Sequence, residues 1–78
     1  MPKIPAIKGK EFKLFCEKLG FKFIRQRGSH VRMRHDDGRV TTVPVHSGKD
    51  IPVGLIRKII REDLKMSVEE FLTFYLEL

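Results

Sequence analysis

Between Lys10 and Leu19 the apolar residues fall at Phe12, Phe15, Cys16 and Leu19. This i, i+3, i+4, i+7 spacing marks one face of a helix. Gly20 follows where a helix commonly ends in the left-handed conformation. Phe21 to Arg27 is rich in aromatic and β-branched residues and reaches a turn at Gly28-Ser29. From His30 to His35 the chain alternates, with Val31 and Met33 on one side and His30, Arg32 and Arg34 on the other. Period two of this kind predicts a half-buried antiparallel strand. Asp36-Asp37-Gly38 supplies a hairpin turn, and Arg39 to Val45 completes a meander with Thr41, Val43 and Val45 on one face. Pro44 has no N–H to give a ladder, so this third strand is expected to be an edge or to end there.

The second half reads as helical. Asp50 is expected to cap a helix with Pro52 in its first turn. Its buried stripe is expected to comprise Leu55, Ile56, Ile59, Ile60 and Leu64, with Arg57, Lys58, Arg61 and Glu62 outward. Ser67-Val68-Glu69-Glu70 has the form of a capping box, with Met66 and Phe71 placed for a hydrophobic staple. A last short helix then presents Val68, Phe71, Leu72, Tyr75 and Leu76. The expected order is α-β-β-β-α-α, an α+β fold with helices on one face of a three-stranded antiparallel sheet. If Val31 and Met33 meet the helices, His30, Arg32 and Arg34 line the open face.

Seventy-eight residues suit a single domain over 1–78 with a small core. The lone cysteine, Cys16, permits no internal disulfide, and its place on the apolar helix face predicts a small core residue. No stretch approaches the roughly 20 apolar residues of a membrane span, and the start lacks a signal-peptide core. The expected location is the cytoplasm. No histidine–cysteine cluster has metal-ligand spacing and no glycine-rich phosphate loop is present. Neither a metal nor a cofactor is therefore expected.

Charge changes this picture from fold towards function. The net charge of +6 favours an anionic partner. Arg25, Arg27, Arg32 and Arg34 lie in the β-rich middle, while Glu62, Asp63, Glu69, Glu70 and Glu77 lie in the C-terminal helices. In their midst stands Gly28-Ser29-His30. An imidazole exchanges protons near neutral pH, and guanidinium groups bind phosphate by bidentate hydrogen bonds. The combination suits metal-free RNA cleavage, in which a base takes the 2′-hydroxyl proton, the oxygen attacks phosphorus, and cations stabilise the phosphorane. Ser29 has two readings, a turn residue or a group that orients the ring or holds a phosphate oxygen. His35, on the apolar side by alternation, is expected to be structural. His46 is either a loop cap or a second proton-transfer group, a role for which Ser29, Lys49 and a bound water also compete.

Gly20-Phe21, Arg25-Gln26-Arg27-Gly28-Ser29-His30-Val31, Pro44-Val45-His46, Gly54 and Ser67-Val68-Glu69-Glu70-Phe71 together resemble the HicA (YcfA-like) toxins, in matching order from about Pro5 to Phe74. That resemblance implies a double-stranded-RNA-binding-like fold, ribosome-independent mRNA interferase activity, and silencing by a HicB-type antitoxin covering the basic face. By position, the required histidine of the family is His30, and a second family histidine matches His46. The chain departs from the family at Lys65, where glycine is common, and at Gly54-Leu55-Ile56, where Gly-Thr-Leu is frequent. Two rivals share the same basic face. One is a non-catalytic double-stranded-RNA-binding-like module recognising RNA by shape, and the other is a surface serving mainly an acidic protein partner.

Overall fold

The computed structural model describes residues 3–77; Met1, Pro2 and Leu78, which the 1–78 domain reading includes, lie outside the described residues. The elements are α1 (Gly9–Leu19), β1 (Lys22–Arg27), β2 (His30–Arg34), β3 (Val40–Pro44), α2 (Val53–Lys58), a π-helical continuation of α2 (Ile59–Asp63) and α3 (Val68–Leu76). The strands form one antiparallel sheet in the order β1-β2-β3. The expected α+β layout is thus observed, and β3 is an edge strand as Pro44 requires.

One face of the sheet carries Val31, Met33, Thr41 and Val43, all buried. They meet Phe12, Phe15 and Cys16 of α1, Ile56 of α2, Ile59, Ile60 and Leu64 around the π segment, and Phe71 of α3 in a single core cluster. The aromatic rings fasten α3 to α1: Phe15 and Phe71 meet edge-on at 4.8 Å, and Phe15 meets Tyr75 at 5.8 Å. Such pairs add about 0.5–1.5 kcal/mol beyond the area they bury. At the start of α3 the capping box forms in both directions, Ser67 N–H donating to Glu70 and Glu70 N–H donating to Ser67, each at 3.0 Å.

Four local expectations are corrected. Asp50 does not cap α2; its carboxylate pairs with Lys8 at 3.2 Å, and Lys8 and Asp50 form a backbone bridge. Pro52 occupies the cap position itself, and its carbonyl accepts the Leu55 and Ile56 N–H groups. Leu55 is not in the buried stripe but 37% exposed, and Leu76 of α3 is exposed too. Helical periodicity alone therefore overstates the width of both apolar faces.

The π segment shows what ties α2 to the sheet. Leu64 N–H reaches the Ile59 carbonyl five residues back, at 2.9 Å. The segment ends at Lys65, the sole non-glycine residue among those described with positive φ, at 55°. Lys65 occupies the left-handed site that glycine fills at least strain, which explains glycine at that place in the resembling family. Arg39 Nη1 donates to the Leu64 carbonyl at 2.6 Å and Thr41 Oγ1 donates to Asp63 at 2.9 Å, so β3 and the residue before it hold the segment down.

Candidate nucleic-acid interface and active site

Two turns and one irregularity place the candidate residues. Gly28 takes φ of +60° while Ser29 stays out of the positive region, the pattern of a type II′ hairpin turn. Gln26 Nε2 braces it by donating to the Gly28 carbonyl at 2.9 Å. The turn delivers His30 as the first residue of β2, opposite Arg27 on one side and Pro44 on the other.

The irregularity is a β-bulge in β1 at Ile24. Phe23 pairs with Met33, but the next pair is Arg25 with Arg32, leaving Ile24 as an extra residue. Strict alternation from the buried Phe21 would have set Phe23, Arg25 and Arg27 on one side. The extra residue reverses the strand's facing after Phe23. Arg25 and Arg27 consequently join His30 and Arg32 on the open face. No periodicity in Lys22–Arg27 announces this, because every residue of β1 is exposed.

Arg25, Arg27, His30, Arg32 and Thr42 line a shallow cleft of about 180 Å³. Sequence reasoning does not single out Thr42, although its alternation with Thr41 and Val43 puts it on this face. Its hydroxyl accepts from Arg32 Nη1 at 3.0 Å, which fixes one guanidinium of the cleft. Among the described residues no carboxylate forms an ion pair with Arg25, Arg27, Arg32 or Arg34. Arg34 lies on the same face, opposite Lys22 and Val40, but four residues along β2 from His30 and outside the cleft. That separation is roughly 13 Å.

Beyond β3 a second cleft of about 380 Å³ is lined by His30, Pro44, His46, Lys49, Asp50, Ile51, Pro52 and Leu55. His30 is common to both clefts. His46 is brought into the same cleft as His30, and its Nε2 lies 3.3 Å from Ser29 Oγ. Ser29 thus contacts His46. Gly9 helps to hold this corner, since a Cβ there would strike the Pro44 carbonyl and come within 2.7 Å of Val45 Cα.

His35 is structural, as alternation implies. Its ring packs edge-on against Phe21 at 5.2 Å, its Nε2 lies 3.1 Å from the Leu19 carbonyl, and its Nδ1 accepts the Asp37 N–H at 3.1 Å. Cys16 is fully buried, and burial, reinforced by the negative charges of Asp63 and Glu17, pushes its thiol up to about 12. A thiol held protonated in this way is a poor nucleophile. Among the described residues no group of three or more His, Cys, Asp and Glu side chains is arranged to hold a metal ion.

The family model described as HicA toxin of bacterial toxin-antitoxin systems matches residues 9–64, from the first turn of α1 to the end of the π segment. The chain belongs to the HicA toxin family. It is accordingly a toxin of a toxin–antitoxin pair. No curated protein matches the chain. The family match contains both clefts, the bulge and the Ser29–His46 contact. Among the described residues no helix is long and apolar enough to cross a membrane.

Proposed function

We propose that this HicA-family toxin is an endoribonuclease acting on mRNA in the cytoplasm, with His30 as its catalytic residue. The observation that carries this reading is the position of His30: an exposed imidazole shared by two clefts, one of them lined by three arginines without carboxylate partners. Phosphate enters the arginine cleft, where Arg25, Arg27 and Arg32 neutralise it and Arg34 extends the positive track. His30 takes the 2′-hydroxyl proton; the oxygen bonds to phosphorus, and the phosphorane charge falls on the arginines. The P–O5′ bond then breaks and the leaving oxygen receives a proton. His46, held by Ser29 in the adjoining cleft, is the side chain best placed to supply it. The products are a 2′,3′-cyclic phosphate and a 5′-hydroxyl.

A HicB-type antitoxin silences the toxin by covering His30 and the arginines, with acidic groups matching their charge. The chemistry is tested by incubating the protein with RNA in EDTA and determining the new ends. Cutting with cyclic-phosphate and 5′-hydroxyl termini is expected. Loss of cutting in chelator, or 5′-phosphate ends, contradicts the metal-free route, and tight RNA binding with no turnover returns the protein to a binding module.

A further inference from the structure

The two clefts that share His30 differ in chemistry. The smaller one is a guanidinium site. The larger is walled by Pro44, Ile51, Pro52 and Leu55, and its mouth carries both a cation, Lys49, and an anion, Asp50. Asp50 Oδ1 is taken by Lys8 at 3.2 Å, so the carboxylate is anchored at the rim. A phosphate finds three arginines in one cleft, and in the other a single lysine offset by an acid beside apolar walls. Leu55 is the telling residue. It sits on α2, where the neighbouring Ile56 is 1% exposed, yet it is turned outward at 37% exposure into this cleft.

We infer that the larger cleft is a nucleobase subsite, taking the unpaired base of a nucleotide that flanks the phosphate held beside His30. The proposal rests on the nuclease reading of His30 and extends it from backbone to base. A nucleobase is planar, uncharged and apolar on its faces, with hydrogen-bonding groups confined to its rim. Pro44, Pro52 and Leu55 cover such faces, while Lys49 and Asp50 stand where a base edge emerges. His30 lines both clefts and lies opposite Pro44 in the sheet, so a nucleotide adjoining a phosphate among the arginines reaches the larger cleft across Pro44. A site built this way favours single-stranded or looped RNA, because a base paired in a duplex cannot enter it.

The test uses the full chain and a short RNA oligonucleotide whose cleaved bond has first been mapped. Abasic ribose is placed on the 5′ or the 3′ side of that bond, and cleavage by wild-type protein is compared with that by Leu55→Ser and Arg27→Ala. One of the two abasic substitutions is expected to lower kcat/KM by about tenfold, the scale of removing one base from its apolar seat. Leu55→Ser is expected to lower cleavage of the normal oligonucleotide similarly and to change that of the sensitive abasic one by less than twofold. Arg27→Ala is expected to slow both equally. Two abasic oligonucleotides cut as fast as the parent overturn the base subsite. So do equal losses from Leu55→Ser on both oligonucleotides. If Leu55→Ser leaves cutting intact and abolishes antitoxin binding, the cleft is a protein-docking site and the proposal fails. A His30→Ala protein that cuts normally overturns the catalytic role of His30 instead, and a wild-type chain that binds RNA without cutting it overturns the nuclease reading, so the failures are separable.

Discussion

Val31 and Met33 are 1% and 0% exposed, while His30 and Arg32, one step away on the same strand, line open clefts. The two faces of the sheet share a backbone and differ in the solvent they meet. On the core face, shape and burial decide which residues are tolerated; on the open face, charge and proton transfer decide. β2 separates these demands by alternation alone. In β1 the bulging of Ile24 out of the ladder is what sets Arg25 and Arg27 on the same side as His30. The site is made by register as much as by composition.

The largest expected effect breaks the core face. Met33→Ala should cost about 2–5 kcal/mol, a large part of a small domain's stability, whereas Arg27→Ala should change stability by less than about 0.5 kcal/mol. Urea midpoints for the two variants check this. Similar losses from both would erase the distinction between the faces.

Removing the charge that the bulge delivers comes next. With Arg25→Ala and Arg27→Ala combined, each phosphate left without its arginine should reduce the salt slope of RNA binding by about 0.7. A decrease of about 1.4 in the slope of log K against log salt is therefore expected. An unchanged slope would show that these two arginines hold no phosphate.

Lys65 touches neither face and serves as a control. Lys65→Gly removes a left-handed side chain and should stabilise the protein by about 1 kcal/mol or less, with RNA cleavage unaltered. A thermal melt with an activity assay measures both.

The last effect, seen only at alkaline pH, concerns Cys16. Its folded thiol lies at about 12 against 9.0 for a free thiol, so between these values the unfolded chain is deprotonated while the folded chain is not. Stability contributed by the protonated thiol is therefore complete below pH 9.0 and declines as pH rises towards about 12. Comparing wild type with Cys16→Ala at pH 8 and pH 10 should reveal it. At pH 8, a thiol reagent should react no faster than the protein unfolds, while a histidine reagent should label His30 freely.

Legibility followed the strength of the local signal. The alternation in β2, the Asp36-Asp37-Gly38 turn and the Ser67 capping box each combine a steric or hydrogen-bonding need with a residue that meets it. Gly38 indeed takes φ of +98°, and Asp37 accepts from the Arg39 N–H at 3.0 Å. The clustering of Arg25, Arg27, His30 and Arg32 is legible as composition, but not the bulge that produces it, because an exposed edge strand has no burial pattern to interrupt. The π-helical turn is equally silent. It is held by Thr41 of β3 and by Arg39 just before that strand, through hydrogen bonds that helical periodicity cannot encode. Leu55 departs from expectation for the opposite reason: the periodicity is present, but a cleft wall answers to it as well as a core does. Asp50 is drawn from a helix cap to Lys8 by a tertiary pairing.

Everything functional proposed for this toxin turns on His30 performing chemistry on a backbone held by the arginines. The decisive measurement is RNA cleavage and RNA affinity, taken in parallel for wild type and His30→Ala. Cleavage is expected to fall by about a thousandfold, with affinity unchanged within about threefold, since phosphate binding is assigned to Arg25, Arg27 and Arg32. Cleavage by His30→Ala within tenfold of wild type would contradict that role.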